Sequence, residues 1–173
     1  MLHTDWRLLP ANELVANASD VAKSIDSSTS FFVRPDSPLK PFSGRVVDVE
    51  SLTLAKLDHG FYFEDESLPV IVAPLQEIGD EWRFVIAGKS VVAGSGYDPA
   101  TREPIAENPD TEATAFATNV ASTLEEPAEI YILDVCDCAG ELRLLELNPF
   151  GGADLYACDP IAIVDAVSKI ASA

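Results

Sequence analysis

The segment that most constrains this chain runs from Ile130 to Asn148, where two apolar stretches each carry an acid into surroundings that would otherwise simply be core. Asp134 follows Ile130-Tyr131-Ile132-Leu133, and Glu146 follows Leu144-Leu145. A tight turn centred on Gly140 makes the stretches an antiparallel hairpin. It sets Asp134 opposite Glu146, Cys136 opposite Leu144 and Cys138 opposite Leu142. Side chains alternate along a strand, so Asn148 joins Asp134 and Glu146 on one face. Two carboxylates directly opposite each other destabilise a sheet, and something cationic is expected to compensate them. Two carboxylates and an amide oxygen form a hard-oxygen set suited to Mg2+, whose remaining ligands are usually waters or substrate phosphates. The alternative is an ordinary strand-edge pair satisfied by solvent or by a lysine.

A second hairpin is signalled by Trp82 to Ala87 and Ser90 to Ser95 around Gly88-Lys89. This register places Val85 opposite Val92 and Arg83 opposite Gly94. The arginine then has room for a ligand beside it, or leans across the glycine toward solvent. Trp82 and Phe84 fall on the other face and read as core. Gly94-Ser95-Gly96 belongs to the hairpin rather than to a phosphate-binding loop.

Upstream, Leu14, Val15, Ala18, Val21, Ala22 and Ile25 form the apolar stripe of a helix over Asn12 to Ile25. Phe31-Phe32-Val33 reads as a short buried strand that delivers Arg34 to its end. The loop from Asp36 to Gly44 carries Lys40 and Ser43-Gly44, and strand-end cations beside small residues are a common way to hold phosphates. Arg45 to Asp48 is expected as a strand, Val49 to Leu57 as a helix, and Val70 to Ala73 as a strand stopped by Pro74. Residues 98 to 110 read as a surface loop, with Tyr97 and Arg102 either in solvent or within reach of a substrate. Thr111 to Leu124 is helical behind an Asp110 cap, and Asp159-Pro160 opens a last helix. Hairpins and helices without steady β-α-β alternation point to α+β.

Composition narrows the function. The 173 residues suit one domain, and 47% hydrophobic residues provide a core. Eleven Lys and Arg against 29 Asp and Glu leave a net charge of −18. Tracking along nucleic acid and docking on an anionic membrane are both disfavoured by that balance. Any phosphate-bearing ligand is therefore small and held by a few cations or through a metal. Three cysteines without a Cys-x-x-Cys, and two distant histidines, indicate neither a disulfide framework nor a zinc site. Cys136 and Cys138 read as small core residues. The N-terminal residues lack the features of a signal peptide, and no stretch reaches the roughly 18 apolar residues of a spanning helix. A cytoplasmic protein is expected.

Together these pieces resemble the ATP-grasp superfamily. Val33-Arg34-Pro35 is similar to the family's strand-end cation segment, with arginine for the usual lysine, and Ser43-Gly44 to a remnant of its small-residue loop. Val72-Ala73-Pro74-Leu75 resembles the hinge that holds adenine, and Glu81 the acid that bonds the ribose. Asp134 with Glu146-Leu147-Asn148 resembles the metal ligands in order and spacing. Arg34, Lys40 and Arg83 are similar to the set that names a divergent branch after two arginines and a lysine. The resemblance covers about residues 30 to 156.

It implies an α+β fold of two lobes, about 30–75 and 76–173, with ATP and Mg2+ in the cleft between them. The implied chemistry is ATP-dependent carboxylate–amine ligation through an acyl phosphate, on a small-molecule, peptide or protein acceptor. Arg34, Lys40 and Arg83 would neutralise the phosphates. Ser43, Gly44, Ala73, Leu75 and Glu81 would hold the nucleotide, and Asp134, Glu146 and Asn148 the metal. The alternative is a nucleotide-binding or assembly module without turnover. Two departures stand out. Ala73 occupies the place of a frequent hinge glutamate. Only about 30 residues precede Phe31, too few for the separate N-terminal domain of complete family enzymes. An incomplete ligase is therefore expected, finished by a partner protein or by a second copy in a homodimer.

Overall fold

The computed structural model describes every residue except Met1, Ser28, Pro38, Tyr62, Phe63, Pro99, Arg102, Glu107, Asn108, Ala173 and the side chain of Ala106. Arg102, one of the residues considered above, thus lies outside the described residues. The chain divides into two compact units, one from His3 to Gln76 and one from Glu77 onward that also takes in Leu2.

The first unit contains β1 (Arg7–Pro10), α1 (Ala11–Ala16), α2 (Ala18–Ser24), β2 (Ser30–Pro35), β3 (Arg45–Asp48) and β4 (Pro69–Ala73). Its sheet has the order β1-β4-β2-β3, and every pair is antiparallel. β2 alternates as a half-buried strand must. Phe31 and Val33 enter the core with Val47, Val70 and Val72, against Ala11, Leu14, Ala18 and Ala22 of the helices. Phe32 and Arg34 occupy the opposite face.

The helical stripe was expected to form one helix and forms two. Asn17, at φ −124° and ψ 25°, interrupts it, and its side-chain amide donates to the Glu13 carbonyl at 3.1 Å. A short polar side chain of this kind competes with the helical ladder while leaving the apolar period intact. The Val49–Leu57 region is two short 3-10 turns rather than an α-helix, ended by Asp58 in the left-handed region at φ 60°. β1 has no counterpart in the sequence reading, because Leu8-Leu9 is too brief to show a period.

The second unit contains β5 (Ile78–Ala87), β6 (Ser90–Tyr97), β7 (Pro104–Ala106), α3 (Thr111–Thr123), β8 (Ile130–Cys138), β9 (Glu141–Pro149) and α4 (Pro160–Ala171). Its sheet, β7-β6-β5-β8-β9, is also wholly antiparallel. One face packs Phe84, Ile86, Tyr131, Leu133 and Val135 against Ala113, Ala117 and Ala121, whose small side chains admit α3 closely. The other face packs Val85 and Ile132 against Ile163 of α4 and Cys158. β7 lies inside the stretch read as loop.

Both hairpins carry a bulge that corrects the expected register. The Gly88-Lys89 turn stands as expected, with φ of 54° and 63°, but Val92 has no partner. Val85 therefore faces Ala93, and Arg83 faces Ser95 rather than Gly94. In the second hairpin the turn is Ala139-Gly140, at φ 55° and 86°. Cys136 then pairs with Arg143 and Cys138 with Glu141, not with Leu144 and Leu142. Leu145 is unpaired, and beyond it Asp134 does face Glu146. No helix among the described residues is long and apolar enough to cross a membrane.

Candidate functional site

β5, β8 and β9 bring Arg83, Asp134, Glu146 and Asn148 to one face of the second unit's sheet. The cation that the acid pair requires comes from β5. Arg83 grips Asp134 with two parallel bonds, Nε to Oδ1 at 2.8 Å and Nη2 to Oδ2 at 2.7 Å. Its Nη1 donates to the Asp154 carbonyl at 2.9 Å. Asp134 is 0% exposed and Arg83 8%. A fork-to-carboxylate pair is among the stronger polar contacts, and losing either partner here would strand a buried charge.

Asn148 completes the group. Its Nδ2 donates to Glu146 Oε1 at 2.7 Å and to Asp134 Oδ2 at 3.2 Å. The partly positive amide nitrogen thus stands where both acids converge, and turning the amide over presents its oxygen there instead. By donor type and convergence, Asp134, Glu146 and Asn148 fit a divalent cation. Among the described residues no group of three or more His, Cys, Asp or Glu side chains could hold a metal, so the amide is essential to this set.

An aromatic wall encloses the arginine. Tyr97 and Tyr156 stack with centroids 4.5 Å apart at 9°. The guanidinium carbon lies 5.6 Å from the Tyr97 ring and 5.0 Å from the Tyr156 ring. The Tyr97 hydroxyl donates to Glu81 Oε2. Ser95, fully buried beneath the cluster, accepts from the Ala157 N–H at 3.2 Å.

Burial drives the electrostatics. It pushes the Asp134 carboxyl above the ordinary range against the pull of Arg83, with Glu146 adding to the rise. It also raises Glu81, only partly offset by the Tyr97 hydrogen bond. Burial alone would lower the Arg83 guanidinium; its bonds to Asp134 outweigh that and raise it, so it stays charged. Tyr97 is raised by burial first and the nearby carboxylates second, and stays a neutral donor.

Sequence reasoning named Arg83, Asp134, Glu146, Asn148 and Glu81, and the structure brings these together. It missed Tyr156 and Asp154, which follow the strands in an irregular segment without a period. Tyr97 was weighed as part of a solvated loop. It is instead the last residue of β6, 6% exposed and inside the cluster.

The remaining candidates lie in the first unit. Arg34 is half-buried on the β2 face it shares with Phe32, its register partner is Ile71, and it has no ion-pair partner among the described residues. Gly44 abuts that face so closely that a Cβ there would come 2.6 Å from Phe32 Cζ and 3.5 Å from Arg34 Cβ. Lys40, exposed with φ 43°, and exposed Ser43 sit in the preceding loop. Buried Phe42 and the Arg45–Asp58 ion pair hold that loop's end. Ala73 is buried at the end of β4, and Leu75 is exposed.

Two antiparallel sheets in separate units, with acids and an asparagine on one strand pair, define the class as ATP-grasp. A family model of the ATP-grasp domain, the second family of its clade, matches residues 14–166, and the chain belongs to that family. Among solved structures it is similar to D-alanine–D-alanine ligase from Helicobacter pylori, with a TM-score of 0.65 and 20% identity over 97% of this chain and 55% of that one. It is similar to the D-cycloserine synthetase DcsG, at 0.55 and 17%, over 95% of this chain and 60% of that one. The ATP-grasp ligase PsnB, complexed with its minimal precursor, gives 0.55 and 17%, over 98% and 56%. The chain therefore spans little more than half the length of these neighbours. No curated protein matches it.

Proposed function

We propose that the chain binds ATP with Mg2+ and serves an ATP-dependent carboxylate–amine ligation on a peptide or other carboxylate acceptor. The observation that supports this best is the convergence of Asp134, Glu146 and Asn148 on one face, with the Asn148 amide bridging both acids. Those three residues would hold Mg2+, which supplies charge neutralisation at phosphate oxygens. Arg34, Lys40 and Arg83, the two arginines and lysine of the branch reading, would neutralise phosphate charge as the γ-phosphoryl passes to an acceptor carboxylate. Positioning and electrostatics suffice for that transfer, and no protein nucleophile is required. Ala73 and Leu75 would hold the adenine through their backbone, Glu81 the ribose, and Ser43-Gly44 would lie over the phosphates. The apolar company of Arg34, namely Phe32 and Ile71, suits a base near a cation. PsnB has been solved with a variant precursor, Mg and ADP together, which makes a peptide acceptor the first to try.

The test is nucleotide binding with and without Mg2+. Asp134→Asn and Glu146→Gln are expected to weaken metal-dependent binding far more than metal-free binding; equal effects would make both carboxylates structural. ADP release is then followed with candidate peptide acceptors. Binding without acceptor-dependent release would identify a nucleotide-binding module.

A further inference from the structure

The Asp134 carboxylate is completely buried, and both of its oxygens are already engaged. Oδ1 accepts from Arg83 Nε, while Oδ2 accepts from Arg83 Nη2 and from Asn148. Arg83 in turn is fixed by the Asp154 carbonyl and by the stacked rings of Tyr97 and Tyr156. A full positive charge is therefore built into a two-carboxylate site, at a depth where an unpaired carboxylate is most costly.

We infer that Arg83 is an internal stand-in for the metal: it compensates Asp134 in the metal-free protein, and metal binding by the acid group competes with the Arg83–Asp134 pair. This rests on the reading of Asp134, Glu146 and Asn148 as the metal site. The second unit then folds without any cation. Its affinity for a divalent ion alone is held down, because Asp134 joins the ion only by giving up two charge-assisted bonds. Removing the arginine leaves two acids with only an amide between them. Such a site gains metal affinity and comes to depend on metal for its stability.

The test compares the wild type, Arg83→Gln and the double variant Arg83→Gln/Asp134→Asn, with no nucleotide present. Binding is read from the free Mn2+ signal in electron paramagnetic resonance, and stability from thermal unfolding in Mg2+ or EDTA. Arg83→Gln is expected to bind Mn2+ on the order of tenfold tighter than the wild type, and Mg2+ is expected to raise its Tm but not that of the wild type. The double variant should show neither effect. An Arg83→Gln affinity equal to or below that of the wild type overturns the inference. If Arg83→Gln folds only in Mg2+, that dependence is itself the expected result. If it folds in neither buffer, Arg83→Lys, which keeps the charge but loses the fork, must still bind Mn2+ more tightly than the wild type, or the inference fails. A wild type that does not bind Mg2+-ATP sinks the metal-site reading itself. One that binds it while the arginine variants gain nothing sinks only the stand-in.

Discussion

Asp134 and Glu146 face each other across β8 and β9 although the turn joining these strands falls between Ala139 and Gly140. A regular ladder from that turn would set Leu145 opposite Asp134 and rotate Glu146 and Asn148 onto the face that packs α3. The unpaired Leu145 restores them to the Arg83 face, as a bulge that re-aims side chains beside a site does. The acids tolerate each other because Arg83 and the Asn148 amide lie between and beside them. Asn148→Asp replaces that donor with a third carboxylate. The variant is expected to lose about 2 to 3 kcal/mol of stability in EDTA and to recover part of it in Mg2+. Urea unfolding in the two buffers checks this, and an equal loss in both would mean no cation enters the site.

The same turn offers a gain. Ala139 holds φ 55° ahead of Gly140 at φ 86°, the left-handed pair of a two-residue hairpin turn that Asn-Gly satisfies best. A Cβ in that region costs about 1 kcal/mol, less for asparagine. Ala139→Asn is expected to stabilise the second unit by about 0.5 to 1 kcal/mol and raise its melting temperature by a few degrees. A variant no more stable than its parent would show the turn to be unstrained.

Hairpin positions, the last two helices and the acid-rich face were legible because each has a local signature: Gly-Lys, a capping aspartate, two acids in apolar runs. The register was not. The Asp134–Glu146 pairing expected from a turn at Gly140 is present, but by two compensating departures, the turn at Ala139-Gly140 and the bulge at Leu145. No residue type announces a bulge when leucine stands on both sides of it. The matching bulge at Val92 left Arg83 opposite Ser95 instead of Gly94. Asn17, Tyr156 and Asp154 show the same limit. Their roles depend on tertiary neighbours, and a period cannot reveal those.

Cys136 and Cys158 lie on the acid face yet are poor candidates for reactivity. Burial first, and nearby acids or a second thiol after it, push their thiols up to about 12 and about 11. Leu2 and Leu145 pack over Cys136 and Cys138, and the Cys158 thiol lies 4.0 Å from the Arg83 carbonyl. Thiolate is the reactive form, so a disulfide reagent at pH 8 is expected to label none of the three cysteines in the folded protein and all of them in urea. Rapid labelling of Cys136 or Cys158 without denaturant would show that this face opens.

Glu81 gives a pH dependence with a definite sign. Burial raises its carboxyl above 4.5, with Asp134 and Glu146 adding to the rise and the Tyr97 bond opposing it. A carboxyl raised by folding favours the folded state while it is protonated in both states. It begins to cost stability as pH climbs past the unfolded value, and the full cost is present above the folded value. Wild-type stability should therefore fall relative to Glu81→Gln as pH rises from about 4 through the raised range, then run parallel to it up to neutrality. The glutamine amide of that variant keeps an acceptor for the Tyr97 hydroxyl, so the comparison isolates the charge. Chemical unfolding of both proteins between pH 4 and pH 8 measures the difference. A gap that narrows with rising pH would mean that the Tyr97 bond outweighs burial, and that Glu81 is a stabilised carboxylate.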